Sequence, residues 1–153
     1  GLSEKVHFLG SMTPDHVKNH MEEANIFLFT SNFKEGWGAV INEAMSSGCA
    51  VVASHAVGSA PFLIKHGKNG LIYQSGNIND LYRKVSRLIK KPMLQYDYGV
   101  NAYDTMVNTW SPEVAASRLM EISKILLRGE HRWYPNGPCS KAYIIKEDWY
   151  PNK

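Results

Sequence analysis

Apolar runs alternate with helical patterns along the first half of this 153-residue chain. Short apolar runs predict four β-strands, at residues 5–10, 25–31, 49–54 and 70–73. The run at 25–31 is apolar at nearly every position, which is typical of a central strand buried on both faces. Helical segments between successive strands favour a parallel order. The pattern therefore predicts an α/β fold, a Rossmann-like parallel sheet of about four strands with helices on both faces.

Helix-boundary residues support this alternation. Thr13 and Pro14 together predict a helix start, because threonine caps helices and proline suits the first helical position. A second helix is predicted from about Gly38 to Ser47, and Gly48 ends it, since glycine readily adopts the conformation found just past helix ends. Both helices lie between strands that the pattern predicts to be parallel.

The second half of the chain is predicted to be helical as far as Gly129. Asn77 is the expected cap of a first helix, Pro92 begins a second, and Ser111 caps a third. The first of these helices carries one apolar stripe, formed by Leu81, Val85, Leu88 and Ile89. No further strand of the sheet is expected from this part of the chain.

The last residues differ from the rest in being aromatic and rich in turns. Within them the segment KAYIIK, residues 141–146, is a candidate strand because it contains β-branched and aromatic residues. We therefore divide the chain into a partial domain at 1–129 and an aromatic tail at 130–153.

Composition narrows the classes of function. Apolar residues make up 44% of the chain and charged residues 20%, as in ordinary globular domains. The formal charge of +3 is small and evenly spread, and no RNP-like or zinc-finger-like motif occurs, so no nucleic-acid partner is predicted. There is no signal-peptide layout and no apolar run near the roughly 18 residues of a membrane span. The chain has only two cysteines, far apart in sequence, which favours a reducing, cytoplasmic location. Peripheral contact of the full enzyme with a membrane is left open.

The stretch FKEGWGAVINEAMSSG, residues 33–48, holds the candidate chemistry. It directly follows a predicted strand, and doubly wound sheets bind ligands beyond the carboxyl ends of their strands. The helix that begins near Gly38 would offer free N–H groups and the positive end of its dipole to a phosphate. Gly36 and Gly38 would let the backbone approach that ligand closely. The stretch therefore predicts a phosphate-binding loop.

Two glutamates flank this loop. Glu43 would lie about 6 Å along the helix, where a carboxylate can accept hydrogen bonds from two ribose hydroxyls. Its surroundings are mostly apolar, so we expect it on an apolar helix face. Glu35 precedes the helix and would meet the part of the ligand beyond the phosphates. The expected ligand is a nucleotide that carries a sugar.

Structural alternatives exist for each of these residues. Glu35 can be an ordinary loop carboxylate, and Glu43 can form a salt bridge with a nearby lysine or arginine. Trp37 can be a core residue, in which case its backbone N–H, and not its ring, carries the functional argument. His55 follows a strand near the expected pocket and is a candidate for either a binding or a structural role.

The segment EGWGAVINEAMSSGCAVVAS resembles the E-x7-E segment of retaining GT-B-type glycosyltransferases, often called glycosyl transferase group 1 or family 4. The segments VHFLG, ANIFLFTS, VGSAPFLIKHGKNGLIY and WSPEVAASRL also occur in the family's order. The resemblance covers residues 5 to about 127. It implies the C-terminal, donor-binding half of a GT-B fold, of which residues 1–129 would form a part.

The resemblance also implies roles for the loop. Glu35 would contact hydroxyls of the donor sugar and is the expected catalytic residue. The backbone N–H groups of Trp37, Gly38 and Ala39 would approach that sugar and the distal phosphate, with Val40 close behind.

The remaining implied contacts concern the nucleoside. Glu43 would hold the ribose, and Gly10 and Ser11 would lie beside the base. No metal and no cofactor is implied, because helix N-termini and basic side chains neutralise the diphosphate in this family. Phe62 stands where many relatives carry a glutamate, so it receives no ligand role.

Several parts of the family's machinery are expected outside this chain. These are the Arg and Lys that grip the diphosphate, two strands of the sheet, and the N-terminal half that binds the acceptor. The chain alone is therefore predicted to be inactive, and the strand edges left unpaired predict either self-association, slightly preferred, or a tail held against the sheet.

The leading hypothesis is the donor-binding part of a retaining enzyme that transfers a hexose from a nucleoside-diphosphate sugar to an unknown acceptor, whether a glycan, a lipid or another molecule. A non-catalytic nucleotide-sugar-binding module and a GT-B nucleotide-sugar epimerase are the alternatives.

Overall fold

The computed structural model describes residues 1–150. Its strands are β1 (Ile26–Phe29), β2 (Ala50–Ser54) and β3 (Gly70–Tyr73). Its helices are α1 (Pro14–Glu23), α2 (Val40–Ser46), α3 (Ala60–Leu63), α4 (Ile78–Ile89), α5 (Pro92–Thr109) and α6 (Pro112–Leu127), preceded by a 3-10 turn at Ser3–Lys5. The predicted α/β class is confirmed. The tail expected at 130–153 is described as far as Tyr150, and 151–153 lie outside the described residues.

The three strands form one parallel sheet in the order β1-β2-β3. Every residue of β2, which forms within the run predicted at 49–54, is buried, and β2 is the central strand. Strand β1 is an edge strand, and the prediction that it is central and buried on both faces is wrong. Leu28 of β1 is 45% exposed. Its apolar composition suits burial, but among residues 1–150 its second edge has no strand neighbour.

The strand predicted at residues 5–10 does not form, so the sheet has three strands instead of four. A 3-10 turn occupies Ser3–Lys5, and residues 6–10 have no regular structure. Phe8 is 96% exposed. A strand is stable only when its backbone groups pair with a neighbour. Within residues 1–150 this segment has no such partner, which is why its apolar composition is not enough.

The three predicted side-chain caps are confirmed. Thr13 Oγ1 accepts a hydrogen bond from the His16 N–H at 3.5 Å. Asn77 and Ser111 accept at 2.9 and 3.2 Å from the N–H groups three residues further on. These bonds satisfy donors that the first helical turn leaves free, so each helix begins where its cap stands.

The sheet carries apolar packing on both faces. Val51 and Ala53 of β2 belong to the main core cluster, together with residues of α1, α2 and α5. Ala50 and Val52 face the opposite side, where Leu71 and Leu88 pack. Alternate residues of a strand point to opposite faces, so one fully buried strand supports two helical layers.

The apolar stripe predicted for α4 is correct at three of four positions. Leu88 is fully buried, and Leu81 and Val85 pack half-buried beside it. Ile89 is 63% exposed, so its assignment to the stripe is wrong. Consecutive helical residues are separated by about 100° around the axis, which turns Ile89 away from the face that holds Leu88.

The segment after α6 packs by side chains. No strand forms at 141–146, so that prediction is wrong; the one bridge recorded in the described tail joins Tyr134 and Ser140. The Tyr134 hydroxyl donates to the carboxylate of Glu121 on α6, and Arg118 lies 4.4 Å over the Tyr134 ring. The far end of the tail lies against the sheet through Trp149 and Tyr150, which pack beside the main core cluster. Self-association of the chain stays a prediction.

Lowering the pH from 7.5 to about 5.5 is expected to reduce stability through His66. The His66 Nδ1 atom accepts a hydrogen bond from the Ile72 N–H at 2.9 Å. Partial burial, aided by the positive charges of Lys84 and Arg87, lowers the pKa of His66. The unfolded chain, with a histidine pKa of about 6.5, therefore binds more protons in the window between the two values, and stability falls as pH falls through it.

Urea unfolding of the wild type and of His66→Asn at both pH values measures this effect. Asparagine offers an acceptor near the position of Nδ1 but does not titrate, so the variant should lose less stability on acidification than the wild type. Equal losses in the two proteins would contradict the assignment.

Candidate functional site

The loop between β1 and α2, residues 30–39, is shaped by its own backbone. The Glu35 N–H donates to the Asn32 carbonyl at 2.9 Å, and the Lys34 N–H donates to Asn32 Oδ1 at 3.0 Å. This is a turn in which an asparagine side chain stands in for backbone. Gly38 then adopts a φ of +75°, which a residue with a side chain rarely takes. The turn therefore places the segment that runs from Glu35 through Val40 at the carboxyl end of β1.

A second loop, residues 55–59, holds the first in place. The Gly58 N–H donates to the Gly36 carbonyl at 3.0 Å, and the Ser59 N–H donates to the Trp37 carbonyl at 2.9 Å. A Cβ atom added at Gly58 would lie 2.4 Å from the Gly36 oxygen, and one added at Gly38 would lie 2.6 Å from a methyl carbon of Val57. The two loops therefore touch only because both positions are glycine.

Backbone N–H donors are unpaired at the start of α2. The carbonyls of Gly36 and Trp37 accept from the second loop, and Ala39 provides no side-chain cap. Within the described part of the chain, the N–H groups of Gly38, Ala39 and Val40 have no hydrogen-bond acceptor. An anion at this point would meet several unpaired donors.

The Trp37 ring is fixed at the surface and is 41% exposed, so it is not a core residue. Its Nε1–H donates to Asn42 Oδ1 at 2.9 Å. Its ring stacks on Phe62 at a centroid distance of 5.7 Å and lies 5.9 Å from Trp110. None of these three partners is among the site residues that the sequence predicts. Phe62 and Trp110 come from distant segments, and no local pattern could identify them.

Glu43 is exposed, which corrects the expectation of an apolar environment. The buried face of α2 consists of Ile41, Ala44 and Met45. That spacing of three and four residues places Glu43 outside the buried face and could have predicted the result from the sequence. The ion pairs recorded among residues 1–150 do not include Glu43, so the salt-bridge alternative lacks support.

Glu43 lines a groove of about 620 Å³ between α1 and α2. Apolar side chains of Met12, Val17 and Met21 form part of its wall, and Lys18 also lines it. Gly10 and Ser11 are exposed just before Met12 but are not lining residues. The groove therefore combines apolar surface, two carboxylates, Asp15 and Glu43, and one cation.

Glu35 lies apart from this groove. Its side chain is half-buried, and its Cγ atom is 3.6 Å from the position that a Cβ at Gly38 would occupy. The structure thus places Glu35 against the turn and Glu43 in the groove. The unpaired N–H groups of residues 38–40 lie on the backbone between these two glutamates. The ligand contacts predicted for the two carboxylates stay predictions.

His55 is a structural residue in this arrangement. Its Nδ1 accepts a hydrogen bond from the Ser75 N–H at 2.8 Å, so the proton of the neutral ring lies on Nε2. That Nε2–H faces the Glu147 carbonyl at 3.2 Å. Both ring nitrogens are occupied by the protein, which leaves neither for a ligand.

Two further observations concern the described chain. No helix within residues 1–150 is long and apolar enough to cross a membrane. The same residues contain no group of three or more His, Cys, Asp or Glu side chains arranged to hold a metal ion.

A parallel sheet with helices on both faces, and a glycine-bearing loop with unpaired donors at the carboxyl end of a strand, define a Rossmann-like α/β domain. The family described as glycosyl transferases group 1 matches residues 1–105. The chain belongs to this family and is a GT-B glycosyltransferase group 1 domain.

Individual proteins show the same likeness. The lipopolysaccharide core biosynthesis mannosyltransferase LpcC of Rhizobium leguminosarum is 33% identical over 132 residues, which are 86% of this chain and 36% of LpcC. The structure of HepE from Anabaena in complex with UDP matches 80% of this chain and 33% of HepE, with a TM-score of 0.68 and 27% identity.

Sucrose-phosphate synthase from Thermosynechococcus elongatus matches in fold, with a TM-score of 0.71 and 23% identity over 84% of this chain and 32% of the synthase. In each of these three comparisons the chain spans about a third of the length of the protein that it matches.

Proposed function

We propose that this chain is the donor-binding part of a retaining glycosyltransferase, which transfers a hexose from a nucleoside-diphosphate sugar to a glycan, a lipid or another acceptor. The observation that carries the proposal is the sequence of chemical groups along the loop and α2. Glu35 stands at the turn, the free N–H groups of Gly38 to Val40 follow, and Glu43 lies in the adjoining groove. A sugar, a diphosphate and a nucleoside present matching groups in the same order.

The groove suits the nucleoside end. Its volume of about 620 Å³ lies within the range of about 300–1,000 Å³ that is usual for small-molecule sites. Its apolar wall would receive a base, with Gly10 and Ser11 at the edge nearest to it. The exposed carboxylate of Glu43 would accept hydrogen bonds from the ribose hydroxyls. The solved complexes of HepE with UDP and with UDP-glucose support a nucleotide-sugar ligand.

The turn suits the other end of the donor. The N–H groups of Trp37, Gly38 and Ala39, with Val40 behind them, would contact the distal phosphate and the sugar. Glu35 would accept hydrogen bonds from sugar hydroxyls and so orient the transferred ring, which is the catalytic role that we propose for it. In this proposal backbone donors and basic side chains of the whole protein, and no metal or cofactor, neutralise the diphosphate.

An NMR titration of the chain with UDP tests the proposed site. We expect UDP to shift the amide signals of Gly38, Ala39 and Val40 together with those of Asn42 and Glu43, because the ligand would span the start of α2. Uridine should shift the groove signals and leave those of Gly38 and Ala39 in place. Shifts confined to other surfaces, or none at 10 mM UDP, would contradict the proposal.

The isolated chain is expected to bind a nucleotide sugar only weakly and to transfer no sugar. The basic pair that the family places on the diphosphate, and every acceptor contact, are expected outside residues 1–153. We expect dissociation constants in the millimolar range, equivalent to about 4 kcal/mol of binding free energy. Calorimetric titration and a product assay with UDP-glucose test this. Micromolar affinity, or product formed with any acceptor, would show the chain to be more complete than proposed.

A further inference from the structure

The last described segment, residues 141–150, crosses the carboxyl ends of two strands; we call it the strap. The Trp149 Nε1–H donates to the His55 carbonyl at 3.1 Å, just past the end of β2. The Tyr150 hydroxyl donates to the Ile72 carbonyl of β3 at 2.7 Å. Both side chains are half-buried beside the main core cluster. The strap is therefore hydrogen-bonded at two separate points, one just past the end of β2 and one in β3.

One of these points belongs to the loop that supports the candidate site. His55 is the first residue of loop 55–59, whose Gly58 and Ser59 hold the carbonyls of the β1–α2 loop. The His55 ring also packs edge-on against Phe33 of the β1–α2 loop, at a centroid distance of 5.4 Å. The His55 ring also contacts the strap, because its Nε2–H donates a hydrogen bond to the Glu147 carbonyl. His55 thus joins the strap to the β1–α2 loop by both its backbone and its ring.

The strap and the two loops also enclose a common space. A cavity of about 270 Å³ is lined by Tyr143 and Ile145 from the strap, and by Phe33, Val57 and Phe62 from the loops and α3. A change in the position of the strap would therefore alter the packing around Phe33 of the β1–α2 loop. Tyr150, in contrast, donates its hydrogen bond to a strand, and only its ring reaches loop 55–59, at 5.9 Å from the His55 ring.

We propose that the strap is a positioning element for the β1–α2 loop, and that Trp149 is its positioning residue. The indole N–H sets the location of the His55 carbonyl. Through loop 55–59 it then sets the location of the turn that presents Glu35 and the free N–H groups. This inference rests on the proposed function in one respect, namely that the loop binds the sugar-diphosphate part of the donor. Residues that support a site from behind are what hold its groups in a productive arrangement.

Amide spectra of the chain and of two matched variants test the contact network without any ligand. Trp149→Phe removes the N–H donor and keeps an apolar ring, whereas Tyr150→Phe removes the donor to β3. We expect Trp149→Phe to shift the signals of Gly36, Trp37 and Gly58, including the Trp37 indole N–H, and Tyr150→Phe to leave them unchanged. Shifts confined to the strap and His55 in both variants would overturn the proposal.

Hydrogen exchange of the wild type gives a second test that requires no variant. The Trp149 indole N–H and the amides of Gly58 and Ser59 should exchange through the same opening event, and therefore with similar protection. Exchange of the indole at least a hundredfold faster than that of the two amides would show that the strap opens without the loop, and would overturn the proposal.

A titration with UDP-glucose connects the strap to binding. Affinity should fall about threefold or more in Trp149→Phe and remain unchanged in Tyr150→Phe. If the wild type binds no UDP-glucose, the proposed function fails, while the loop shifts still decide the role of the strap. If all three proteins bind equally and the loop signals do not move, the strap proposal fails and the proposed function stands.

Discussion

Replacing Glu43 with alanine should weaken UDP binding by roughly 10- to 150-fold. The exposed carboxylate lies in the groove and is free of the ion pairs recorded in the described chain, so it is available to ribose hydroxyls. A hydrogen bond to a charged group contributes about 1.5–3 kcal/mol, and 1.4 kcal/mol corresponds to a factor of ten. Calorimetric titration of UDP into the full-length protein that carries this sequence measures the change, and in the isolated chain the UDP-induced NMR shifts should be lost.

Two further variants separate the expected roles. Glu35→Ala should leave UDP affinity within about twofold of the wild type and reduce sugar-dependent turnover of the full-length protein, because Glu35 lies outside the groove. Glu23→Ala, at the exposed end of α1 and outside the lining of the groove, is the control for loss of one negative charge on the neighbouring helix. Equal UDP affinity of the wild type and Glu43→Ala would remove the ribose assignment.

Gly99→Ala should destabilise the fold by about 1–3 kcal/mol, although alanine is the better helix former by about 1 kcal/mol. Gly99 lies inside α5, where a Cβ atom would be 2.2 Å from the Gly48 carbonyl oxygen and 3.3 Å from its carbon. These are backbone atoms, and they sit between α2 and the central strand β2, so they cannot move aside cheaply. Overpacking therefore outweighs the gain in helix propensity.

Urea unfolding of the isolated chain measures this effect, and Gly36→Ala provides a matched control. A Cβ atom added at Gly36 has nothing within 4 Å, so the same chemical change should alter stability by less than about 1 kcal/mol there. A Gly99→Ala protein as stable as the wild type would mean that α5 does not pack against Gly48 as closely as the structure has it.

Much of this fold follows from local chemistry. Thr13, Asn77 and Ser111 cap their helices through bonds that span three residues, so sequence spacing alone predicts them. The buried strands β2 and β3 are short apolar runs bounded by polar or turn residues, and they form where predicted. The glycines that shape the β1–α2 loop were identified with their neighbours because a glycine–tryptophan–glycine turn before a helix is itself a local pattern.

Other features depend on neighbours that lie far away along the chain. Strand β1 has the composition of a central strand, but its position at the edge depends on which strands are beside it. Residues 5–10 have the composition of a strand and do not form one, because a strand requires a partner and not only a pattern. The exposure of Glu43, in contrast, follows from a local spacing, because Ile41, Ala44 and Met45 mark the buried face of α2 and leave Glu43 outside it.

By itself the sequence determined the α/β class, the starts of the three helices capped by Thr13, Asn77 and Ser111, and the segment that carries the candidate chemistry. Each depends on backbone preferences and on spacings of a few residues. Only the tertiary structure decided that Gly58 and Ser59 hold the β1–α2 loop, that His55 is structural, and that Trp149 reaches the His55 carbonyl. Those contacts join segments distant along the chain, and they exist because packing the helices and the tail onto the sheet brings the segments together, which no local spacing specifies.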